Sequence, residues 1–397
     1  MVKSIFENVV YVVGARNSAI YNFENRKVYS INFEGTKILE KYFSNSDSLN
    51  NDEIEYINKV KETVGISEFN YVNYVFPENN EWTLNYAWLS LTERCNMKCV
   101  HCYEGNEHFE MKETLSFEKW ISLLDELYEV GCVNICFIGG EPTLYSKLPE
   151  LIDYAYDKGF KQIVIFTNLS YLSEKLLASI IRSKCTVKFS IYGSNEAAHE
   201  KVTQIKGSFK RLVNNLNTLI KNKVKVVAAT IIMKENEYDR DNIYSFLKKF
   251  GIESNKFDEI RKVYGGCQEK HFVQRPRKMW TSPYFVANKN YFDRSININT
   301  CWYGKFTIAS NGDVYPCEFE RMYIYGNVIK QSIREILNSP KLKKCWGMSF
   351  KYIDFCKDCE YRFACKDCRP LGYAERGVWK DKNYRCKYNP YKGEWKK

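Results

Sequence analysis

The feature of this sequence that most constrains its fold is a segment with three closely spaced cysteines, Cys95, Cys99 and Cys102. Three residues separate the first two cysteines, and two residues separate the last two. This spacing lets three sulfurs converge on three corners of a four-iron cubane, which four thiolates normally hold. A cubane with three protein ligands keeps one iron open to bind another molecule. The motif therefore predicts chemistry at a cluster rather than simple electron transfer.

A structural zinc site is the alternative for these cysteines, with His101 or His108 as a further ligand. Zinc sites more often show paired cysteines with two residues between them, so the spacing favours iron. The placement of all fifteen cysteines also indicates metal binding, since none precedes Cys95 and eight lie between Cys301 and Cys386. Disulfides are not expected, because nothing in the chain predicts secretion.

Composition and charge exclude several classes of protein. The chain has 397 residues and is 45% hydrophobic, which is enough for two or three packed domains. No apolar run approaches the roughly 20 residues that cross a bilayer, and the first residues lack the apolar core of a signal peptide. The formal charge of +11 falls by roughly two for each four-iron cluster, and no basic stripe with interleaved aromatics is present. We therefore expect a cytoplasmic protein that binds neither membranes nor nucleic acid.

Residues 1–80 contain no cysteine and predict a small separate module. Short apolar segments predict strands, and amphipathic segments after them predict helices. The predicted strands lie at 9–13, 19–23 and 27–31, and the predicted helices at 35–43 and 52–64. Strands followed by helices at this size favour a winged-helix-like module, and a cap that covers the main core is an equally good interpretation.

Residues 81–290 alternate between predicted strands and helices, which indicates an α/β fold with a parallel sheet. The predicted strands lie at 86–91, 133–138, 162–166, 187–192 and 224–233, and the predicted helices at 117–130, 148–158, 174–183, 209–222 and 240–250. We interpret this pattern as a partial (β/α)6 barrel of the TIM type, in which chemistry lies at the carboxyl ends of the strands. The three-cysteine loop follows the first strand and is expected at that end. Cys132, Cys136 and Cys185 fall on or near strands and are expected in the core.

Residues 291–397 break this alternation and form a third predicted region that is short, rich in turns and dense in cysteine. Such a segment buries little apolar area per residue. We therefore expect bound metal to hold it together.

A second motif, Gly139-Gly140-Glu141-Pro142, follows the second predicted strand. Glycines let the backbone approach a ligand closely, and the glutamate can accept a hydrogen bond from an ammonium group. Together with the three-cysteine loop, this motif resembles the radical S-adenosylmethionine superfamily. The resemblance implies that the open iron binds the amino and carboxylate groups of the methionine. It also implies that one electron releases a 5′-deoxyadenosyl radical, which abstracts hydrogen from a substrate carbon.

The same resemblance implies the remaining contacts to S-adenosylmethionine. The residues expected to bind it are His101, Gly139, Gly140, Glu141, Pro142, Thr167, Asn168 and Ser190. The glycine motif would meet the methionine amino group, and the backbone beside the third cysteine would meet the adenine. The positions at the ends of the third and fourth strands would contact the ribose and the carboxylate.

Seven later cysteines resemble the SPASM domain, which binds two auxiliary four-iron clusters, whereas a zinc ribbon would account for only four of them. The resemblance assigns an outer cluster to Cys356, Cys359, Cys365 and Cys386 and an inner cluster to Cys301, Cys317 and Cys368. The expected cofactors are therefore S-adenosylmethionine and three [4Fe-4S] clusters.

The inner cluster departs from the family pattern, because it lacks a fourth cysteine and Thr307 stands near that place. We expect an inner cluster with an open iron that could bind a substrate thiolate. In the alternative, Cys345 or Cys267 completes the ligand set. Glu318 directly follows Cys317 and is a candidate general base toward a substrate hydroxyl or thiol. Its other interpretation is a surface carboxylate beside the cluster.

Proteins that combine these two regions usually modify ribosomally made peptides or proteins. The predicted function is therefore a radical peptide maturase, similar to sactipeptide and ranthipeptide maturases, that forms a thioether or carbon–carbon crosslink. The N-terminal module would bind the leader of a short precursor peptide as an added strand, and a flavodoxin or ferredoxin would supply electrons. The alternatives are an anaerobic sulfatase-maturing enzyme that makes formylglycine, a peptide epimerase and, outside enzymes, an iron–sulfur electron-transfer or binding protein.

Overall fold

The computed structural model describes residues 1–78, 81–103, 115–253, 257–262, 269–273, 285–366 and 368–395. Two compact units are present, and each is built from separate stretches of the chain. Unit one comprises Met1–Glu81, Pro276–Tyr303 and Lys344–Lys397, and unit two comprises Trp82–Arg275 and Gly304–Lys343. His108 and Cys267 lie outside the described residues. No helix in the described ranges combines the length and the apolar character needed to cross a membrane.

The strands and helices of the described residues are numbered in chain order. The strands are β1 (Val2–Phe6), β2 (Val9–Val13), β3 (Ser18–Asn22), β4 (Lys27–Ile31), β5 (Val72–Asn73), β6 (Tyr86–Ser90), β7 (Asn134–Ile138), β8 (Gln162–Thr167), β9 (Thr186–Ser190), β10 (Val226–Ala229), β11 (Ile231–Ile232), β12 (Asp258–Glu259), β13 (Lys305–Ile308), β14 (Asp313–Tyr315), β15 (Gly326–Asn327), β16 (Tyr388–Asn389) and β17 (Glu394–Trp395). The helices are α1 (Phe33–Ser44), α2 (Asn51–Val64), α3 (Phe117–Glu129), α4 (Leu148–Lys158), α5 (Glu174–Ser183), α6 (Glu196–Thr203), α7 (Ser208–Lys221), α8 (Arg240–Lys249), α9 (Lys289–Ser295), α10 (Ile333–Leu337), α11 (Pro340–Trp346) and α12 (Arg369–Tyr373).

Unit one contains an antiparallel sheet with the strand order β4-β3-β2-β1-β5. The predicted strands and helices of the N-terminal module are present, and β1 and β5 extend the sheet at one edge. Strand β2 reads Val-Val-Tyr-Val-Val because both of its faces are covered. Tyr11 packs with Leu39 on the face toward α1 and α2, and Val12 packs with Phe292 and Phe363 on the opposite face.

Local caps fix the two helices of this module. The side chain of Asn32 accepts the Gly35 N–H at the start of α1. At the start of α2, Asn50 and Glu53 form a reciprocal capping box, and Gly65 ends the helix with φ 81°. Each such cap contributes about 1 kcal/mol to helix stability, so α2 has well-defined ends beside the sheet.

Unit two contains a sheet with the order β10-β9-β8-β7-β6-β13-β14-β15. Strands β6 to β10 pair in parallel in sequence order, which confirms the predicted α/β architecture. Strand β13 pairs in parallel with the other side of β6, and β14 and β15 follow as antiparallel neighbours. The sequence pattern did not predict β13, because four residues carry little periodicity and their partner is distant in the chain.

The predicted strand at 224–233 is two strands rather than one. Strand β10 belongs to the large sheet, whereas β11 pairs with β12 in a separate ladder. The change falls at Thr230, whose carbonyl accepts the Asp258 N–H at 3.0 Å. Pairing therefore passes from the large sheet to β12 at this residue.

The two faces of the large sheet are lined by different residues. Right-handed crossovers between sequential parallel strands place the connecting helices on one face, and Ala87, Ile135 and Phe189 are fully buried there. Alternate residues point to the opposite face. A separate cluster on that face, which we call the inner wall, consists of Tyr86, Trp88, Cys136, Ile138, Val164 and Phe166. The prediction that Cys132, Cys136 and Cys185 are core residues is confirmed, since all three are buried.

Candidate active site

The three-cysteine loop follows β6, and the sulfur of Cys99 lies within electrostatic reach of Cys95 and Cys102. Burial, and then the neighbouring Cys95 and Cys102, raise the pKa of the Cys99 thiol well above its ordinary value. All three cysteines are partly exposed. A thiolate at this position needs a cationic partner, because burial and two like charges oppose its ionisation. The donor set therefore fits an iron–sulfur core.

The loop is held against α6 by its backbone. The Lys98 N–H donates to the Thr203 carbonyl, and the Val100 N–H donates to the Val202 carbonyl, both at 3.0 Å. These two bonds position the chain between the first and third cysteines beside α6.

The glycine motif after β7 packs directly on the segment that leads into this loop. A Cβ atom on Gly139 would lie 2.3 Å from the Thr92 carbonyl oxygen, and one on Gly140 would lie 2.5 Å from the Arg94 carbonyl oxygen. The Gly140 and Glu141 N–H groups donate to the Thr92 and Arg94 carbonyls at 2.8 Å. Glycine is required here because the two backbone segments touch.

Glu141 is buried, and protein donors occupy both of its carboxylate oxygens. Oε1 accepts from the Thr143 N–H at 3.1 Å, from the Thr143 hydroxyl at 2.7 Å and from the Thr167 hydroxyl at 2.6 Å. Oε2 accepts from the Asn168 N–H at 2.7 Å. Burial raises the pKa of the Glu141 carboxyl, and these hydrogen bonds oppose that shift. The structure gives this residue a bracing role that sequence reasoning missed, and its contact with the methionine amino group stays a prediction.

A polar network links the end of β8 to the cysteine loop. The Asn168 side-chain amide donates to Asn96 Oδ1 at 2.8 Å, and the Asn96 amide donates to Ser170 Oγ at 2.8 Å. The Ser170 hydroxyl donates back to Asn168 Oδ1 at 2.6 Å. Asn96 and Ser170 were not predicted, because an amide inside the cysteine motif carries no signal until its partners are known.

His101 lies in an aromatic pocket beside the third cysteine. Its ring centroid is 4.7 Å from that of Tyr192 and 6.1 Å from that of Tyr103. Burial, and then His271, lower the pKa of the His101 imidazole to about 4, so the ring is neutral. Within the described residues, its buried Nδ1 has no hydrogen-bond partner. This ring nitrogen is a donor or an acceptor according to the tautomer, and it fits a ligand whose edge carries both kinds of group, such as an adenine.

Ser190 lies at the carboxyl end of β9. Strand register aligns Thr167 with Phe189, so Ser190 and Asn168 end neighbouring strands at the same edge. The structure thus brings the cysteine loop, the glycine motif and all the predicted cofactor contacts to the carboxyl edge of the sheet. Their individual contacts to S-adenosylmethionine stay predictions.

The four cysteines assigned to the outer auxiliary cluster all belong to unit one, and they gather on one face of the N-terminal sheet. Burial, then Glu360, and then Cys356 and Cys386 raise the pKa of the Cys359 thiol. Burial raises the pKa of the Tyr21 hydroxyl, and the nearby Cys359 and Cys365 shift it in the same direction.

A buried cation lies among these cysteines. Arg362 Nη1 donates to the Cys359 carbonyl at 2.6 Å and to the Val13 carbonyl at 3.3 Å. A four-thiolate cubane carries net negative charge, so the guanidinium fits a cluster held here.

The cysteines assigned to the inner auxiliary cluster are divided between the units. Cys301 and Cys368 belong to unit one and Cys317 to unit two. Thr307 lies on β13, and Cys345 is buried on α11. No group of three His, Cys, Asp or Glu side chains in the described ranges is arranged around a single metal ion. The inner ligand set and its open iron stay predictions.

The turn after Cys317 brings two carboxylates toward the core of unit two. Glu318 Oε2 is 3.1 Å from Arg321 Nη2, and Glu318 lies within electrostatic reach of Cys136 on the inner wall. Phe319 packs on Tyr103 at 5.0 Å between ring centroids, which connects this turn to the cysteine loop.

Glu320 is a second carboxylate in this turn, and it was not predicted. Its residue is 2% exposed, and burial raises the pKa of its carboxyl to about 7. Oε1 accepts the Met322 N–H at 3.0 Å. Only the folded chain reveals this burial, because the sequence around it is polar.

Comparison with known proteins agrees with this geometry. Residues 89–247 match the family described as the radical SAM superfamily, and residues 300–360 match the iron–sulfur cluster-binding domain SPASM. The chain is 34% identical over 343 residues to the Fe-coproporphyrin III synthase of Methanosarcina barkeri, and the match covers 74% of this chain and 85% of that protein. It is 24% identical over 302 residues to the subtilosin biosynthesis protein AlbA of Bacillus subtilis, and that match covers 71% of this chain and 66% of AlbA.

Among solved structures, SuiB of Streptococcus suis bound to S-adenosylmethionine has a similar fold. The TM-score is 0.63 at 15% identity, and the match covers 97% of this chain and 100% of SuiB. Cysteine-type anaerobic sulfatase-maturating enzymes and AdoMet-dependent heme synthases are also similar to this chain.

Proposed function

The chain belongs to the radical SAM superfamily and carries a SPASM iron–sulfur domain, and from this premise we propose that it is a peptide maturase. It would remove hydrogen from a residue of a ribosomally made precursor peptide and form a thioether or carbon–carbon crosslink. Family membership makes the chain an enzyme of radical chemistry, so the alternative of a simple electron carrier is set aside. AlbA, to which it is similar, is named for the biosynthesis of the bacteriocin subtilosin.

Named residues would hold each cofactor. Cys95, Cys99 and Cys102 would hold the radical-generating cluster, and His101 with its free Nδ1 would face the adenine. When bound, S-adenosylmethionine and the three clusters would supply a radical that takes one hydrogen atom from the peptide. They would also supply an acceptor for the electron that the peptide radical loses when the crosslink forms. A crosslink removes two hydrogens from the peptide, and the second leaves as a proton. We propose Glu318 as its acceptor.

The observation that carries this proposal is a groove in the N-terminal module between β4 and α2. It has a volume of about 240 Å³. The groove is lined by Tyr29, Ser30, Ile31, Tyr56, Lys59, Val60, Thr63 and Val64. Its walls are mostly apolar, with a lysine at the rim, and it runs beside a strand at the edge of a sheet. Such a groove suits an extended peptide with apolar side chains.

The register of β4 shows how a peptide could add to this edge. The Ala287 N–H donates to the Arg26 carbonyl at 3.0 Å, next to an isolated bridge between Lys27 and Val286. Alternate residues of a strand point their backbone groups the same way, so those of Ser30 face the same edge farther along. A leader strand would pair there and place alternate side chains in the groove. SuiB has been solved in complex with its precursor peptide SuiA, which is the kind of partner we propose here.

The function is tested by co-producing the enzyme, under anaerobic conditions, with any short open reading frame found beside its gene. Mass spectrometry of the peptide should show the loss of two hydrogens, localised to a crosslink by fragmentation. An unchanged mass with an inverted residue would instead establish epimerisation. A peptide that remains untouched by an enzyme able to cleave S-adenosylmethionine would refute the proposal.

Sulfatase maturation is the second candidate, because Glu318 directly follows Cys317 and the chain is similar to sulfatase-maturating enzymes. A synthetic peptide with a sulfatase-type cysteine should then become formylglycine. We further propose a flavodoxin or ferredoxin as the electron donor. We also propose a cytoplasmic location, because clusters of this kind need reduced thiols.

A further inference from the structure

Lys188 is a cation on the inner face of the large sheet of unit two. It lies on β9 between Val187 and Phe189, which are buried on the helix-covered face. Its side chain therefore points to the opposite face. Register confirms this placement, since Lys188 aligns with Phe166 of β8, a member of the inner wall.

The ammonium group of Lys188 has apolar and aromatic neighbours. Its Nζ is 4.8 Å from the ring centroid of Phe166. Lys188 also lies within electrostatic reach of Cys136. Burial raises the pKa of the Cys136 thiol to about 12, and Tyr86 and Lys188 oppose that shift. No carboxylate of the described residues lies within ion-pair distance of Lys188, whereas Glu318 near this wall is paired with Arg321.

This arrangement leaves a half-buried charge with no counter-charge among the described residues. A cation taken partly out of water is costly unless an anion compensates it. The adjoining position is open, since Val227, which aligns with Lys188 on β10, is 40% exposed although it shares this face. An incoming carboxylate could therefore reach the ammonium group.

Lys188 also lies close to the proposed radical source. Ser190 is two residues farther along the same strand and points to the same face, a separation of about 7 Å. Ser190 belongs to the carboxyl edge where the cysteine loop and the glycine motif meet. A group held by Lys188 would thus lie one layer of side chains below that edge.

We propose that Lys188 binds a carboxylate of the peptide substrate and so positions the neighbouring residue for hydrogen abstraction. The inference rests on the proposed peptide-maturase function and adds a feature of the substrate. The modified residue should be acidic itself or lie within a few residues of an Asp, a Glu or the peptide's C-terminal carboxylate. An aromatic wall strengthens such a pair, because it excludes water from a charge-assisted contact.

The test uses the intact enzyme with its precursor peptide. Lys188→Met should raise the peptide KM or lower the crosslinking rate by roughly tenfold to a hundredfold, the loss expected for one charged hydrogen bond. Lys188→Arg keeps the charge and should retain most of the activity. Lys305→Met is the matched control, because Lys305 aligns with Tyr86 near the other end of the same wall and should behave as wild type.

Peptide variants identify the carboxylate. Each Asp or Glu of the core peptide is replaced in turn by Asn or Gln, and the C-terminus is amidated. One replacement should reproduce the loss seen in Lys188→Met and add nothing further in combination with it. Lys188→Glu paired with a lysine at that peptide position should recover crosslinking.

Four outcomes would overturn the inference. If Lys188→Met chiefly raises the requirement for S-adenosylmethionine, the lysine acts on the cofactor. This requirement is measured as deoxyadenosine release without peptide. Equal losses in Lys188→Met and Lys305→Met would show a general charge effect. A wild-type enzyme that crosslinks peptides whose acidic groups have all been removed would leave Lys188 without a ligand, while the proposed function would stand. A wild type that cleaves the cofactor but modifies no peptide would overturn both.

Discussion

The Thr167 hydroxyl donates to Glu141 Oε1 across 2.6 Å and thereby joins the carboxyl ends of β7 and β8. Both strand ends border the three-cysteine loop, since the N–H of Glu141 is bonded to the Arg94 carbonyl immediately before Cys95. The carboxylate therefore holds together the two strand ends that border the predicted cofactor site. This makes Glu141 a residue whose chemistry can be tested through stability as well as through activity.

Glu141→Gln should destabilise unit two. The glutamine amide supplies one acceptor and one donor, so in either orientation its NH₂ faces the backbone N–H of Thr143 or of Asn168. One buried donor is then left unsatisfied, which costs about 1–3 kcal/mol. Anaerobic thermal unfolding followed by circular dichroism should show a lower midpoint than wild type.

Glu150→Gln is the control for this change. Glu150 forms surface ion pairs with Lys147 and Lys175, and such pairs contribute at most about 1 kcal/mol. Equal unfolding midpoints for the two variants would contradict the bracing role of Glu141.

Cys102→Ala should abolish both the radical-generating cluster and deoxyadenosine release. Loss of one of three ligands leaves two sulfurs, which cannot hold a cubane. Iron content should fall by one cluster, and S-adenosylmethionine should remain intact under reducing conditions. Cys185→Ala is the matched variant, because Cys185 is a buried core cysteine and should keep full iron content. Undiminished cofactor cleavage in Cys102→Ala would refute the assignment.

Sequence periodicity predicted the order of strands and helices well, because each of these elements carries its own local pattern. Strand β9 shows this, with apolar Val187 and Phe189 alternating with polar Lys188 and Ser190. The iron–sulfur chemistry of the cysteine motif could also be predicted from the sequence, since it depends on spacing along one loop.

Other features depend on contacts between distant segments and had no local signal. Strand β13 gains its place only by pairing with β6, and the donors to Glu141 come from a neighbouring strand as well as its own turn. The association of Met1–Glu81 with Lys344–Lys397 in one compact unit likewise follows from tertiary packing, through contacts such as Tyr21 with Glu360.

Glu320 should make stability depend on pH. Burial raises its folded pKa to about 7, above an unfolded value of about 4.3. Between these values the folded state binds the extra proton, so this group's contribution to stability is fully present below the unfolded pKa and is lost as pH rises toward 7. Wild type should therefore lose stability between about pH 5 and about pH 8, relative to Glu320→Gln, by up to about 3 kcal/mol.

The variant keeps an acceptor for the Met322 N–H, so the comparison isolates the charge. The measurement is the thermal midpoint of each reconstituted enzyme across that pH range. A constant difference between the two proteins at every pH would show that Glu320 does not titrate there.

Thr63→Trp should weaken leader binding without affecting the chemistry. Thr63 is an exposed residue that lines the groove between β4 and α2, so an indole there would occupy the space proposed for a leader side chain. The dissociation constant of a fluorescent leader peptide, measured by anisotropy, should rise about tenfold or more, as for a blocked anchor pocket. Glu55→Trp places the same bulk on an exposed position of α2 outside the groove and should bind like wild type.

Deoxyadenosine release without peptide should be equal in all three proteins, because the groove belongs to unit one and the three-cysteine loop to unit two. Unchanged leader affinity in Thr63→Trp would move the leader site away from this groove.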